Sequence, residues 1–369
     1  MKVLLVAPLP PPYGGMALQA RQLDHLLKHD GVDVDVLASN FRLPSPLRAI
    51  ERVPGVRTCL RAVFIWFLLW PRIGRADVVH VMAASWLYFF LAVYPAVLVG
   101  RVRGKRVVIN YRGGEAREFF QRCGWMVSPA FTVARTITAP SEFLASAIRE
   151  RFGVTVSIVP NILDSSRFVY RARTAIRPAL LVTRHLEKMY DIESVLEAYR
   201  LIRARHSDAS LWIAGGGSEE AHLRSLVSAW GLANVRFLGE VAHEDLPAIY
   251  DQCDIYLNAS RVDNFPGALL EASAAGLVVV STRAGGIPFL YEHARTAWLV
   301  EPGDWRGLAN AVEKVLESPS VAQEMTKAAL TIVRACHWAE VRKRLYQAYG
   351  AGPGTGAEAS LQGARCVAG

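Results

Sequence analysis

No two cysteines in this sequence are separated by only two residues, and only five occur in 369 positions: Cys59, Cys123, Cys253, Cys336 and Cys366. Such scatter excludes a zinc ribbon or a disulfide-stapled scaffold and suits a reduced compartment, the cytoplasm. Charge is sparse as well, 20 % against 52 % hydrophobic residues, which excludes a disordered chain. Only five apolar residues separate Lys2 from Pro8, too few for the apolar core of a secretory signal. Val78 to Gly100 lacks Asp, Glu, Lys and Arg altogether, long enough to be tested as a membrane span. It reads better as a strand, a turn at Ala83–Ser85, and a core helix interrupted by Pro95. Gly100 to Lys105 falls one residue short of a phosphate-binding P-loop. Asp33-Val34-Asp35 has the form of a metal–nucleotide site but opens a strand and has no further acids beside it, so no metal is expected. No internal repeat is visible.

Acids are scarcest in the first half. Residues 1–160 hold 20 Lys and Arg against 10 Asp and Glu, whereas the remainder holds 22 against 23. Seven arginines (42, 48, 52, 57, 61, 72 and 75) flank the apolar run Val63–Trp70, with Glu51 as their one acid. That combination suits an anionic membrane surface, or a solvated basic face beside a core helix. No nucleic-acid motif accompanies it, and no nucleic-acid partner is expected.

The chain length fits two domains. Short β-rich runs alternate with amphipathic segments, which predicts parallel sheets covered by helices. Strands are expected at Val3–Ala7, Val34–Leu37, Val78–Val81, Arg106–Asn110, Thr136–Ala139 and Ser157–Val159, with Ser141 capping the helix that runs to Phe152. Residues 164–178, rich in Arg, Ser and Ala, read as a linker, and the alternation restarts at Ala179. Domains are therefore expected over 1–163 and 179–337, with a tail from Gly350 to Gly369 expected to be disordered.

The most informative stretch runs from Asp254 to Glu271. A strand ends, a polar loop carries Asp263, and Pro266 is placed to open a helix. Free amides at such a start, among them Phe265, Gly267 and Ala268, favour an anion, and Gly267 allows close approach. Glu271, in the second turn, suits the hydroxyls of a ribose; taken alone, an acid there is more often a solvated group.

Asp263, seven residues, Glu271, with Phe265-Pro266 in register, resembles the signature of glycosyltransferase family 4. These are retaining enzymes of the GT-B fold, two Rossmann-like domains facing across a cleft, and the likeness covers about residues 1–349. The resemblance implies a nucleotide-diphosphate sugar as substrate, no cofactor, and a glycan or lipid-linked acceptor. It also implies that residues 338–349 form a helix packed back on the N-terminal domain. Glu271 would bind the ribose and Asp263 would sit by the donor sugar, with Phe265, Pro266 and the amides of Gly267, Ala268 and Leu269 at the sugar or phosphate. Asp263 stands where the family has Glu. Arg184 matches the diphosphate-binding Arg; the family Lys falls at Tyr190, leaving Lys188 as a nearby substitute. Gly14-Gly15 and Gly215-Gly216 resemble glycine loops beside the donor, and Gly285-Gly286-Ile287-Pro288 matches another family turn. Where relatives carry a reactive-side His this chain offers Arg112, which cannot be a general base but suits an anionic acceptor or the leaving phosphate. Glu115 is left between helix-start acid and acceptor ligand, and His80 reads as structural. Two alternatives remain: a GT-B nucleotide-sugar epimerase, and a catalytically weak sugar-nucleotide-binding partner of a membrane polysaccharide complex.

Overall fold

The computed structural model describes residues 1–11, 14–44 and 53–351. Arg48, Arg52, Cys366 and the expected tail beyond Ala351 lie outside the described residues. The chain divides into two compact units, one of residues 1–162 together with those from Trp338 onward, the other of residues 163–337.

The first unit alternates β1 (Lys2–Ala7), α1 (Gly15–His29), β2 (Asp33–Ala38), α2 (Pro54–Arg75), β3 (Val78–Ala83), α3 (Tyr94–Val102), β4 (Arg106–Tyr111), α4 (Ala116–Val133), β5 (Thr136–Ala139), α5 (Glu142–Phe152) and β6 (Ser157–Ile158). All six strands are parallel, in the order β2-β1-β3-β4-β5-β6. The neutral run Val78–Gly100 is fully buried strand followed by a helical run in which the π-turn Phe89–Val93 leads without a break into α3, and Pro95 falls just after that π-turn. No helix among the described residues is long and apolar enough to cross a membrane. Asp33 and Asp35 lie on β2, paired with Lys2 and Arg72, as surface ion pairs.

Helix α2 is amphipathic in an unusual sense, because both of its faces carry apolar residues. Ile65, Leu69 and Ile73, four apart, are buried in the core, while Val63, Trp66, Phe67 and Trp70 point outward and are 42–71 % exposed. The final helix, α12 (Trp338–Tyr349), belongs to this unit. Val341, Leu345 and Ala348 enter its core, and Asp30 accepts from Trp338 and Tyr346 at 3.1 Å each. His80 bonds Tyr349 at 2.7 Å through Nδ1; burial, aided by the nearby Arg112 charge, lowers its pKa to about 3, so it is a neutral structural group.

The second unit contains β7 (Ala179–Thr183), α6 (Ile192–Arg205), β8 (Ser210–Ala214), α7 (Glu220–Ala229), β9 (Val235–Gly239), α8 (Leu246–Gln252), β10 (Ile255–Asn258), α9 (Gly267–Ala274), β11 (Val278–Thr282), β12 (Trp298–Val300), α10 (Trp305–Glu317) and α11 (Pro319–Ala335). Its parallel order is β12-β11-β10-β7-β8-β9. Chain direction along the sheet reverses between β7 and β10, and in open α/β sheets ligands gather outside the carboxyl ends of the strands at that point.

Residues 164–178 differ in character from the composition-based linker. Arg171, Arg173 and Arg177 all converge on Asp254 at 2.8–3.2 Å, just before β10. Arg173 and Asp254 are each 1 % exposed, and Arg173 also donates to the carbonyls of Arg171, Tyr250, Cys253 and Ala275. The segment is thereby built into the second unit, and the same cluster anchors the strand that leads to Asp263.

Candidate active site

Arg184 follows β7 and Asp263 follows β10, so the reversal of strand order brings them together: guanidinium and carboxylate meet at 2.5 Å, with side chains 11 % and 9 % exposed. Nε of Arg184 donates to Asn258 at 3.3 Å, and the guanidinium lies 5.1 Å over the ring of Tyr190. Burial works against the Arg184 charge, but Asp263 outweighs it and pushes the pKa above the ordinary arginine value. Tyr190, standing where the family lysine was expected, thus stacks on the cation instead of adding a second one. Lys188 is exposed in a short 3-10 turn and lines a cavity of about 330 Å³ with Glu187, Asp191, Glu193, Glu219 and Arg261. No bond joins it to the Arg184–Asp263 pair among the described residues.

Glycines hold this loop in place by their lack of a side chain. A Cβ on Gly215, where φ is +141°, would stand 2.0 Å from the Arg184 carbonyl, and one on Gly217 would stand 2.4 Å from the Leu186 carbonyl. Gly285 (φ +52°) and Gly286 do the same for the carbonyls of Asp263 and Asn264, and Gly286 donates to the Asp263 carbonyl at 2.7 Å. Gly216 would place its Cβ 3.2 Å from Glu240. These glycines therefore position the two charged loops by close backbone packing.

Pro266 occupies the cap position of α9 with extended backbone, and the helix begins at Gly267, one residue later than the sequence implied. The Phe265 amide, expected to be free, donates to Oδ1 of Asp263 at 3.2 Å, while its side chain is buried in the core cluster that also holds Leu269, Leu270 and Ile287. Gly267, Ala268 and Leu269 take the first three helical positions, whose amides have no acceptor within the helix. A Cβ on Gly267 would meet nothing within 4 Å, so packing does not demand glycine there.

Glu271 is oriented by two residues that the sequence did not single out. Oε2 accepts from the Tyr250 hydroxyl at 2.9 Å, and Oε1 lies 3.5 Å from Nε2 of His243. Thr183, the last residue of β7, bonds Tyr250 at 2.6 Å and thereby joins the carboxylate to the strand that carries Arg184. Glu271 raises the His243 pKa above 6.5, by hydrogen bond first and charge second, against burial and the Arg167 charge. A tyrosine on an apolar helix and a histidine in a loop carry no local signal of this role; only the fold brings them to Glu271.

In the first unit Gly14 caps α1 and Gly15 opens it; a Cβ on either would meet nothing within 4 Å, and neither has positive φ. Arg112 leaves the end of β4. Its Nε donates to Asn110 at 3.0 Å and one terminal nitrogen to Asn161 at 2.5 Å. Glu115 precedes α4 and accepts from the indole of Trp86, a non-glycine residue held at φ +61°. Ser141 sits at the cap of α5 but its hydroxyl makes no capping bond, which corrects the sequence expectation.

Comparison with known proteins gives the family. Residues 13–167 match the model described as Glycosyltransferase Family 4, and residues 170–331 match the one described as Glycosyl transferases group 1. The chain is 29 % identical over 276 residues to a glycogen synthase of Mycobacterium tuberculosis, a match covering 70 % of this chain but only 64 % of that protein. It is likewise 29 % identical over 276 residues to the GDP-mannose-dependent alpha-(1-6)-phosphatidylinositol monomannoside mannosyltransferase of the same organism, covering 66 % and 69 % of the two. The crystal structure of Anabaena HepE in complex with UDP superimposes with a TM-score of 0.73 at 17 % identity, over 95 % of this chain and 100 % of that one. Two family models end to end, two six-stranded parallel sheets and a full-length structural match converge: the chain belongs to the group 1, or family 4, glycosyltransferases and has their GT-B fold.

Proposed function

We propose that this chain is a retaining glycosyltransferase moving a hexose-type sugar from a nucleotide-diphosphate donor to a glycan or lipid-linked acceptor in cell-surface polysaccharide assembly. The observation that carries the reading is the Arg184–Asp263 pair at the strand-order reversal, with Glu271 held on the adjoining helix by Tyr250. The donor ribose binds the Glu271 carboxylate, and the amides of Gly267, Ala268 and Leu269 take its sugar or phosphate. As the bond from C1 to the diphosphate oxygen breaks, the negative charge gathering there is stabilised by Arg184, a preorganised cation that takes the part a divalent ion plays elsewhere. The acceptor oxygen bonds to C1 on the same face, and its proton passes to the leaving phosphate. Asp263 lies beside the sugar and sets the Arg184 fork. Lys188 is a secondary cation for the same charge. Gly14 and Gly15 are assigned by the family likeness as close-approach phosphate contacts.

The test is Glu271→Ala. Loss of charged hydrogen bonds of roughly 2–3 kcal/mol raises donor KM about 30-fold or more; unchanged KM removes the ribose role. Acidity should act on the same contact. The His243 interaction is fully present below pH 6.5 and is lost as pH rises through the raised histidine value. His243 helps to orient Glu271 and its charge attracts an anionic donor, so donor affinity of the unsubstituted protein falls over that interval, and His243→Asn flattens the profile in a calorimetric titration.

The acceptor side is proposed to work at an anionic bilayer facing the cytoplasm. Trp66, Phe67 and Trp70 face outward on α2, Arg103 lies 4.1 Å over the Trp70 ring, and Arg75 and Arg101 are exposed nearby in sequence. Apolar insertion flanked by arginine suits such a surface. Trp66→Ser with Phe67→Ser is expected to abolish cosedimentation with phosphatidylglycerol vesicles, and retained binding ends this part of the proposal.

A further inference from the structure

Among the described residues the charge of Arg112 has no opposite number. Its two side-chain bonds go to the amide oxygens of Asn110 and Asn161, which are neutral, and no carboxylate pairs with it among the described residues. Burial alone pulls its pKa down, to about 10. The nearest acids in sequence are engaged elsewhere: Glu115 accepts from Trp86 and Glu118 pairs with Arg122, while Glu142, at the start of α5, accepts from Arg149. One terminal nitrogen of the guanidinium, with two N–H groups, makes no bond among the described residues. A cation taken from water and held by neutral partners alone is costly unless an anion completes it.

Sheet order says what lies beside that open edge. Arg112 follows β4 and Asn161 follows β6, with β5 between the two strands. Asn110 stands opposite Thr138 in the ladder, so Arg112 comes level with Pro140, one residue before Ser141, and its bond to Asn161 carries it across the end of β5. There α5 begins. The Ser141 side chain is 2 % exposed, yet its hydroxyl bonds nothing among the described residues. The amides of Glu142 and Leu144, at the first and third positions of this eleven-residue helix, have no acceptor within it. A cation, a buried unpaired hydroxyl and a helix N-terminus at one strand edge form the donor set that tetrahedral oxyanions favour.

The geometry points to an anion subsite of the first unit, formed by Arg112, Ser141 and the start of α5, that binds a phosphate carried by the acceptor. The inference rests on the transferase reading only in assigning that phosphate to the acceptor. Binding would select acceptors bearing a phosphate over neutral glycosides, and Arg112 would act as a specificity residue.

Calorimetry with three probes on the full chain tests it: octyl glucosyl phosphate, octyl glucoside, and the nucleoside diphosphates UDP and GDP. Arg112→Gln is expected to weaken the phosphate probe at least about tenfold, which is 1.4 kcal/mol, while leaving octyl glucoside and the nucleotides unaffected. Arg112→Lys restores only part, because a point charge replaces an oriented fork. Ser141→Ala removes an unpaired buried hydroxyl, so its melting temperature holds or rises while the phosphate-induced thermal shift shrinks. Equal binding of the phosphate probe by Arg112→Gln, or no binding by the unsubstituted protein, overturns the subsite. A loss confined to UDP or GDP overturns it too and moves the anion to the donor. Failure of the unsubstituted protein to bind either nucleotide would instead strike the donor reading and leave the subsite result standing.

Discussion

Arg184→Ala is expected to lower kcat by about 10²–10³, the usual effect of losing one preorganised group that stabilises transition-state charge, with donor KM changed far less. The diphosphate is already charged in the ground state, but the bridging oxygen gains its charge only as C1 departs, so the loss falls mainly on the chemical step. A structural explanation competes, since Arg184 also neutralises Asp263, whose side chain is 9 % exposed. Removing one member of such a pair leaves the other uncompensated and could disorder the loop. A double-mutant cycle separates the two. In an Asp263→Asn background the carboxylate charge is gone and the structural burden with it. If Arg184 acts on the leaving group, Arg184→Ala still costs about the same factor there. If it serves only to balance Asp263, the second substitution costs little.

How far this site can be read before any coordinates exist differs from residue to residue. Arg184 directly follows a strand, Asp263 sits in the loop after one and Glu271 in the second turn of the next helix, the region where parallel sheets collect ligands, so these three stand out in the sequence. The strands themselves are legible for the same reason: buried apolar runs separated by amphipathic ones have few other interpretations. Tyr250 and His243 are not legible, since they act through Glu271 from α8 and the loop before it and resemble an ordinary core tyrosine and a surface histidine. Gly215 and Gly285 show a subtler gap. Pattern marks them as part of the site, but only coordinates show that their task is to admit the carbonyls of Arg184 and Asp263. Ser141 is the reverse case: sequence places it at the helix start correctly, and the expected capping bond is not made. Most instructive are the arginines of 164–178, whose composition reads as solvated linker. Composition counts charges and cannot say that three of them meet on one buried acid.

That cluster yields the largest expected effect on stability. Asp254→Ala should destabilise the protein by about 3–5 kcal/mol, because it strips the counter-charge from Arg173 while the surrounding carbonyls keep that guanidinium buried. Arg177→Ala should cost less than about 1 kcal/mol, since Arg177 is 56 % exposed and solvent screens its pairing with the same carboxylate. Equal losses in urea denaturation would show that the cluster is a surface feature. Acid provides a second reading. Burial by itself would raise the Asp254 pKa, but Arg177 and Arg173 outweigh it and hold the carboxyl below the ordinary 3.8. Its contribution is therefore complete above pH 3.8 and is lost as pH falls through the depressed value. Asp254→Ala should remove that increment at neutral pH, so the unsubstituted and substituted proteins should converge in stability only in strong acid. Asp254 directly precedes β10, whose far end delivers Asp263 to Arg184. Loss of the anchor should consequently reach the reaction as well: at temperatures where Asp254→Ala is still folded, its kcat should fall while the Arg177→Ala protein keeps full activity.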